Sequence, residues 1–303
     1  MAVTNVHTLY AVAVTALDLC DQIQRFRVNT AIEKWLLAGD GAVDPTFVAV
    51  ARQQPAIEFS STKVATILTN CGVSGLQLTT GAELTAFFQK VAEGGTRAGV
   101  TSHLKLVINE GILIPQQIVA GNDQPATISL LAVASYNGTN DPIVLTASQT
   151  LAGTPVVSEA FVAGPVTING STIHGVQSIT INFGIRLWQL SGDGLVWPTF
   201  VAIAERRPSI SIVTPDPLNL NTFGLAGIAQ SATNSVVYLR EVAEGGTRGA
   251  GGADISFTID EGHISIEEVT GNQGEFLGTQ ILISPTWDGA NAIFVISTAA
   301  SCP

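Results

Sequence analysis

The sequence predicts a mainly β protein made of two tandem copies of one antiparallel unit, each a β-sandwich or barrel with one short helix. Three observations carry this prediction. The chain repeats itself at a near-constant interval, both copies alternate apolar and polar residues as strands do, and apolar residues make up 46% of its 303 positions. That apolar share is large enough for each copy to build a hydrophobic core, and it excludes a disordered chain.

The repeat is plainest in one segment of seven residues. The run VAEGGTR at residues 91–97 returns letter for letter at residues 242–248. Other blocks recur about 151 to 153 positions apart, and they pair residues 35–41 with 188–194, 46–51 with 199–204, 108–111 with 259–262, and 136–138 with 287–289. A solenoid repeat is much shorter, roughly 20–50 residues. We therefore predict two domains, residues 1–150 and 151–303, with a linker near residues 149–165.

Strands account for most of each predicted copy. Alternation at period two predicts strands at residues 24–29 and 178–183. Asn169-Gly170, just ahead of the second of these strands, is the residue pair of a tight hairpin. β-Branched and aromatic runs predict five further strands in the second copy, at residues 200–204, 209–213, 255–259, 279–284 and 292–297.

One short helix is expected in each copy. In the second copy Asp216 is placed as the N-cap, Pro217 as the first helical residue and Gly224 as the stop. In the first copy Ser61 or Thr62 opens a helix over residues 63–71, which Gly72 closes. The shared pattern supports one fold for both copies.

The segment at residues 80–91 is ambiguous when read alone. Thr80-Gly-Ala-Glu83 ahead of an apolar stripe has the form of a helical capping box. Its counterpart, residues 235–240, is β-branched and aromatic and favours a strand. Because one backbone must serve both sequences, we predict strands in both copies, and the repeated EGGTR segment becomes a hairpin loop.

Charge narrows the possible partners. Only 12% of residues are charged, about half of the usual share, which favours a surface much of which is covered by partners. The net charge is −11, with −3 on residues 1–150 and −8 on residues 151–303. This balance argues against a protein that wraps nucleic acid, although it suits a surface past which a polyanion slides. Neither a membrane-spanning run nor a signal peptide is expected.

The sequence contains few residue patterns that are typical of catalysis or metal binding. The four histidines, His7, His103, His174 and His263, occupy unrelated positions, and no zinc, phosphate-loop or nucleophile-elbow motif occurs. The acidic pairs Asp260-Glu261 and Glu267-Glu268 are expected at a solvated strand edge. Cys20, Cys71 and Cys302 have no metal-like or disulfide-like spacing and are expected to be buried free thiols. We predict no enzymatic activity, no catalytic residue, no cofactor and no metal.

Residues 166–183, which run VTINGSTIHGVQSITINF, resemble a recurrent opening of bacteriophage tail proteins. The order that follows, a strand pair, one helix, a glycine-rich hairpin and a closing hairpin, resembles the tail-tube fold of long-tailed phages. The first copy departs from this opening, since Ala16-Leu-Asp18 replaces the Asn-Gly turn. The resemblance implies a virion protein assembled in the host cytoplasm, one that forms the tail tube through which DNA is delivered.

The resemblance also implies how the chain assembles. Tube rings carry six copies of the fold, so a duplicated chain would form rings of three with pseudo-sixfold symmetry, and these rings would stack into a tube. Tape-measure and terminator proteins would be further partners, and DNA would pass through without specific binding.

Two alternatives stay open. One is another ring-forming tail or baseplate component. The other is a tandem carbohydrate-binding β-sandwich, which requires exposed aromatic residues. Trp35 and Trp188 lie beside apolar runs at equivalent positions, and we expect both to be in the core.

The repeated hairpin tip is the candidate contact site. Loops normally diverge fastest between copies, yet Glu93, Gly94, Gly95, Thr96 and Arg97 recur as Glu244, Gly245, Gly246, Thr247 and Arg248. Turn geometry would preserve the glycines alone. An acid and a guanidinium four residues apart could bridge to the next subunit or the next ring, so we predict subunit contacts here.

Overall fold

The computed structural model describes residues 5–14, 17–20, 22–93, 102–151, 157, 159–216, 230–231, 234–245, 248, 253–271, 278–287, 289 and 292–302. The chain is mainly β, as predicted, with one helix in the described ranges. We call residues 1–150 the first half and residues 151–303 the second half.

The elements of the first half follow in chain order: β1 (Asn5–Val14), β2 (Leu17–Cys20), β3 (Ile23–Asn29), β4 (Ile32–Leu37), β5 (Phe47–Gln53), β6 (Ala56–Ser61), α1 (Val64–Cys71), β7 (Leu76–Leu78), β8 (Leu84–Ala92), β9 (His103–Ile108), β10 (Gly111–Gly121), β11 (Thr127–Ala134) and β12 (Ile143–Gln149). Those of the second half are β13 (Phe161–Ile168), β14 (Ser171–Ile173), β15 (Ser178–Asn182), β16 (Ile185–Leu190), β17 (Phe200–Arg206), β18 (Ser209–Thr214), β19 (Gln230–Ser231), β20 (Ser235–Glu241), β21 (Asp254–Ile259), β22 (Gly262–Thr270), β23 (Gly278–Pro285) and β24 (Val295–Ala300).

Each half has its own five-stranded antiparallel sheet. In the first half the strand order is β12-β9-β8-β1-β2, and in the second it is β24-β21-β20-β13-β14. β8 pairs with β9 and β20 with β21, so the repeated EGGTR segments connect hairpin strands, as predicted. Residues 84–91 of the ambiguous segment lie in β8, so this part is a strand and not a helix.

A single larger sheet runs through both halves. Its order is β3-β6-β11-β10 from the first half, followed by β15-β18-β23-β22 and the short β19 from the second, with β7 pairing separately with β10. None of the sheets closes on itself within the described ranges, so of the two predicted forms the structure resembles the sandwich. The apolar sides of the sheets enclose one continuous cluster of buried residues.

The pairing register recurs between the halves. β10 pairs Gln117 with Ser129 of β11, and β22 pairs Glu268 with Gln280 of β23, each 151 positions further along. The register shifts at equivalent places in both pairs, after Pro115 and after Ile266. A β-bulge of this kind bends a strand locally, so the two halves share details as fine as a bulge. This correspondence supports the interpretation of a duplicated unit.

Helix α1 begins later than expected. Its N-cap is Lys63, which makes no side-chain capping bond, while the Ser61 Oγ accepts the Lys63 N–H at 3.0 Å. The predicted caps, Ser61 or Thr62, are thus wrong, because Ser61 is the last residue of β6. Gly72 closes the helix as predicted, with φ +58° and its N–H bonded to the Leu68 carbonyl oxygen. The helix predicted from Asp216 to Gly224 lies, except for Asp216, outside the described residues.

The predicted linker is partly wrong. Residues 149–165 were expected to connect the halves, but β13 begins at Phe161 and includes Gly164 and Pro165. The pairing of β13 with β20 shifts between Ala163 and Val166, which leaves Pro165 at an irregular position where a proline is tolerated. At Gly164 a Cβ would lie 2.7 Å from the Tyr238 carbonyl oxygen, so glycine permits close strand approach.

Two hairpins project from the body. β4 pairs with β5, β16 pairs with β17, and each pair is a separate two-stranded sheet. Trp35 is 58% exposed and Trp188 is 57% exposed, so the prediction that both lie in the core is wrong. Every residue of β4 is exposed. The β16–β17 hairpin is partly covered, since residues 201–205 are half-buried, but Trp35 and Trp188 face solvent in the single chain.

Candidate subunit interface

The predicted contact residues lie at two hairpin tips and are only partly described. Glu93, Glu244 and Gly245 are exposed turn residues. Gly245 has φ +95°, a conformation that favours glycine. Gly94, Gly95, Thr96, Arg97, Gly246 and Thr247 lie outside the described residues.

Arg248 lies at the joint between the two halves. Its Nη1 donates a hydrogen bond to Oδ1 of Asn122 at 3.1 Å, and the Asn122 N–H donates to the Gln177 carbonyl oxygen at 2.8 Å. The contact of Arg248 is therefore with the other half of its own chain, and it is exposed. The predicted contact with another subunit stays a prediction.

The main joint between the halves is the pairing of β10 with β15. Five residue pairs run from Gln117 opposite Asn182 to Gly121 opposite Ser178. On one face the joint buries Ile118, Ala120, Ile179 and Ile181 completely. Full burial of one aliphatic side chain is worth roughly 1.5–3 kcal/mol, so this joint makes the two halves one folded body.

A second contact involves the loop between β16 and β17. The Gln53 N–H donates to the Val196 carbonyl oxygen at 2.8 Å, and the Tyr136 N–H donates to the Pro198 carbonyl oxygen at 2.8 Å. Between them, Nε1 of Trp197 donates to Oε1 of Gln53 at 3.2 Å. The rings of Trp197 and Tyr136 lie 5.1 Å apart. The second half thus docks this loop, residues 196–198, against Gln53 and Tyr136 of the first half. We call the surface around these two residues the seat.

A third contact joins the segment before β13 to helix α1. Glu159 accepts hydrogen bonds from the Thr66 N–H at 3.2 Å and from the Thr66 hydroxyl at 3.5 Å. A carboxylate at a helix N-terminus satisfies an otherwise unpaired amide. Burial raises the pKa of the Glu159 carboxyl, and the Thr66 N–H and the Lys63 charge partly offset that rise.

The two strands near the outer edges of the large sheet are the sequence counterparts of the two strands that form the internal joint. β3 is the counterpart of β15, and β22 is the counterpart of β10. Within the described residues, no strand pairs with the outer edge of β3, and β19 covers β22 only at His263 and Ile264. Residues 267–270, at the far end of β22, are exposed, whereas Ser265 and Ile266 are half-buried.

Exposure at these edges differs sharply from exposure at the joint. Val28 of β3 is 37% exposed, whereas its counterpart Ile181 is fully buried. Val269 of β22 is 38% exposed, whereas its counterpart Ile118 is fully buried. The two edges therefore expose apolar residues at the positions that the internal joint buries.

The outward face of the large sheet is polar and carries few charges. Its strands alternate, with apolar residues buried and mostly polar ones facing out. Ser, Thr, Asn and Gln predominate on this face, for example Ser60, Ser129, Thr180, Ser211 and Gln280. Gln280 donates to the Ser211 hydroxyl at 2.9 Å.

Two buried polar residues occupy equivalent places behind the repeated hairpins. His103 is fully buried, and its Nδ1 accepts the Lys90 N–H at 3.1 Å. Asp254 accepts the Glu241 N–H at 2.8 Å and the Cys302 N–H at 2.9 Å. Burial raises the pKa of Asp254, but the Glu241 and Cys302 amides outweigh it and leave that pKa below its usual value. Both side chains satisfy a hairpin amide, which is a structural role.

Among the residues that the structure describes, no three His, Cys, Asp or Glu side chains come together as metal ligands. Burial raises the pKa of the Cys71 thiol to about 12 and that of Cys302 to about 11, so neither is a ready nucleophile. Cys71 is buried and Cys302 is half-buried, and both are free thiols. The side chain of Cys20 is not in the described part of the structure. The single described helix is too short to cross a membrane.

The described part of the chain also has a cavity of about 520 Å³ near the base of the second hairpin. Its walls are mostly apolar, and its lining includes Val73, Phe183, Pro208, Trp287 and Phe294 together with Arg206. Arg206 donates to the Ser74 hydroxyl at 2.7 Å. Trp287 is 67% exposed.

No protein-family profile matches the chain, and no curated protein is significantly similar to it. The sequence alone pointed to the hairpin tips as contacts, but it missed the seat of the loop between β16 and β17. A signal was present, because valine, proline and threonine recur at residues 43, 45 and 46 and at residues 196, 198 and 199.

Proposed function

We propose that the protein is a structural virion component that assembles as rings of three chains, which stack into a hollow tail tube for DNA delivery. The observation that carries the proposal is the agreement between the internal β10–β15 joint and the open edges of β3 and β22. If a neighbouring chain repeats the joint, Val269 lies opposite Val28 of that neighbour, as Ile118 lies opposite Ile181. Each chain then contributes two of six equivalent units.

Edge chemistry supports this pairing. Unpaired strand edges are a liability in a soluble protein and are usually shielded or closed. In the repeated register, Glu268 lies opposite Asn29 and Thr270 opposite Arg27, so Glu268 and Arg27 are diagonal neighbours on one face, within reach of long side chains. Opposite charges across a strand pair favour association. A ring closed by three such joints leaves no open edge in the large sheet.

Charge and surface polarity support the role as a conduit. Three copies of the large sheet, one from each chain, would form the wall of the ring, with the face of Ser, Thr, Asn and Gln toward the bore. Most of these side chains are neutral hydroxyls and amides, which lack the cationic groups that hold phosphates. Arg25 and Arg27 of β3 share this face, and Arg27 pairs across the sheet with the acidic Glu58. The net charge of −11 opposes adhesion of DNA. Tape-measure and terminator proteins would be the partners at the ends of such a tube.

Cysteine cross-linking across the proposed joint tests the ring directly. In a Val28→Cys, Val269→Cys variant, the two thiols of neighbouring chains lie opposite each other, within reach of a disulfide. We expect oxidation to give a covalent ladder that ends at three chains. Arg27→Cys with Val269→Cys is the matched control, because those side chains point to opposite faces. A ladder that continues beyond three indicates an open filament, and the absence of any ladder refutes the joint.

Electron microscopy distinguishes the tube from other ring-forming tail components. Negatively stained protein at high concentration should show hollow tubes with an axial repeat of one ring. A baseplate or completion ring would give single rings under the same conditions. A homogeneous monomer at every concentration would contradict both.

One observation favours a second candidate, the carbohydrate-binding protein. Trp35, Trp188 and Trp287 are all more than half exposed, and exposed aromatics are what sugar binding needs. Their neighbours, however, include exposed aliphatic residues such as Leu36 and Val48, which suit burial against protein. Binding of the monomer on a glycan array, lost in Trp35→Ala and Trp188→Ala, would favour this candidate over the tube.

A further inference from the structure

The loop between β4 and β5 is the counterpart of the loop that joins the halves, but its residues 42–46 are exposed. The Ala42 N–H bonds to the Gly39 carbonyl oxygen at 2.9 Å, and the Leu195 N–H bonds to that of Gly192 at 2.9 Å. The Thr46 N–H bonds to the Leu37 carbonyl oxygen, and the Thr199 N–H to that of Leu190. The two loops therefore share one backbone conformation.

Exposure separates the two loops. Val196 and Trp197 are half-buried and Pro198 is buried, because they sit against the first half. Their counterparts Val43, Asp44 and Pro45 are exposed, and Val43 is 97% exposed. A valine that is open to solvent in a loop preformed for docking points to a seat on another molecule.

The seat on the first half also has a copy. Gln53 and Tyr136, whose amides hold the docked loop, correspond to Arg206 and Trp287. The flanking geometry recurs, since the Ser135 N–H bonds to the Glu110 carbonyl oxygen at 2.9 Å and the Thr286 N–H to that of Glu261 at 3.0 Å. Arg206 and Trp287 line the 520 Å³ cavity described above. The copy of the seat is thus an open, partly apolar pocket.

The two side chains at the center of the docked contact both differ from their counterparts in the undocked loop and its cavity. In the docked loop, Trp197 donates to the amide oxygen of Gln53. In the undocked pair the same positions hold Asp44 and Arg206, an acid and a guanidinium. A hydrogen bond between an indole and an amide is replaced by a pair of opposite charges. Charged pairs at an interface select the partner and fix its register.

We propose that the loop at residues 42–46 docks into the Arg206–Trp287 cavity of a second copy of this chain, with Asp44 paired to Arg206. This inference rests on the proposed ring. Within one chain the second half contacts the first half through both a strand, β15, and a loop, residues 196–198. In the same way, β3 of the neighbouring chain would pair with β22, and its loop at residues 42–46 would dock into the cavity. Val43 and Pro45 would cover the apolar walls of the cavity, including Trp287.

Charge reversal and charge exchange test the pairing. We expect Asp44→Arg alone, or Arg206→Asp alone, to raise the concentration for half-maximal assembly at least about tenfold, because like charges then face each other. The double variant should return to within about threefold of the parent. The unfolding temperature of the monomer should change little in Asp44→Arg, since Asp44 is exposed in the single chain. Asp40→Arg, another exposed acid of the same hairpin, is the matched control.

The outcomes separate this inference from the proposed function. The Val28→Cys, Val269→Cys cross-link reports the ring without involving the loop. A normal ladder with unchanged assembly in both single variants overturns the loop contact and leaves the ring standing. Loss of assembly in the single variants without recovery in the double variant also overturns the ion pair. No ladder in the parent background refutes the ring.

Discussion

Trp197 and Gln53 are 144 residues apart in the chain, yet the indole Nε1 donates a hydrogen bond to the Gln53 side chain at 3.2 Å. The neighbouring backbone bonds to Val196 and Pro198 make this a three-point contact between the halves. It is independent of the β10–β15 strand joint. The equivalent loop of the first half, at residues 43–45, is exposed instead.

The Trp197 contact should contribute to the stability of the single chain. We expect Trp197→Ala to lower the free energy of unfolding by about 2–4 kcal/mol, since a half-buried aromatic loses its packing on Tyr136 and its hydrogen bond. Trp197→Phe should lose less, because the ring stays. Trp188→Ala is the control, and a change below about 1 kcal/mol is expected there since Trp188 is mostly exposed. Urea denaturation of the monomer measures all three; equal losses at both tryptophans would contradict the contact.

Much of the fold was predictable because two sequences had to satisfy one backbone. The alternation in residues 235–240 corrected the helical appearance of residues 80–91, and Asn169-Gly170 predicted the β13–β14 hairpin, where both residues have positive φ. The seat of the loop between β16 and β17 was not predictable, since periodicity carries no information on contacts between distant segments. Trp35 and Trp188 were misplaced for a related reason: residue type indicates a need for burial, but not whether the same chain supplies it.

The linker error has a local cause. Gly164-Pro165 has the composition of a turn, but the strand register of β13 shifts there, so the missing proline N–H costs no ladder bond. Composition could not reveal this irregularity. The predicted subunit contact at the EGGTR segments stays a prediction, since most of their residues lie outside the described ranges and Arg248 contacts its own chain. The strand edges became visible only from the pairing.

The free energy of unfolding should depend on pH through Asp254. Its pKa is lowered in the folded state, so its contribution is present above the unfolded pKa, about 3.9, and is lost as the pH falls through the folded pKa. We expect Asp254→Asn to cost about 1–3 kcal/mol at pH 7, because the Glu241 and Cys302 amides lose a charged acceptor. At a pH below the folded pKa the two proteins should converge. Denaturation at both pH values measures this, with exposed Asp141→Asn as the control; a pH-independent difference would contradict the role.

Ala31 and Gly184 occupy equivalent positions with left-handed backbones, at φ 42° and φ 58°. Alanine is strained there, whereas glycine is not. We expect Ala31→Gly to raise the free energy of unfolding by about 1 kcal/mol. Gly184→Ala should lower it by more, because its Cβ would also clash with the Arg207 carbonyl oxygen. Thermal unfolding measures both changes, and destabilisation by Ala31→Gly would show that the equivalence between the halves fails at this turn.

Arg97 and Arg248 are identical in sequence context, but we expect their roles to differ. Arg248 contacts Asn122 of its own chain through an exposed hydrogen bond, so Arg248→Ala should change the stability of the monomer by no more than about 1 kcal/mol. Arg97 lies outside the described residues, and its counterpart contact would fall on the neighbouring chain. We therefore expect Arg97→Ala to leave monomer stability unchanged while it shortens tubes and makes their assembly more sensitive to salt, since screening weakens an exposed charged contact. Tube length from electron microscopy across a salt series is the measurement. Tubes of parental length and salt resistance in the Arg97→Ala, Arg248→Ala double variant would reduce the repeated EGGTR segment to a turn.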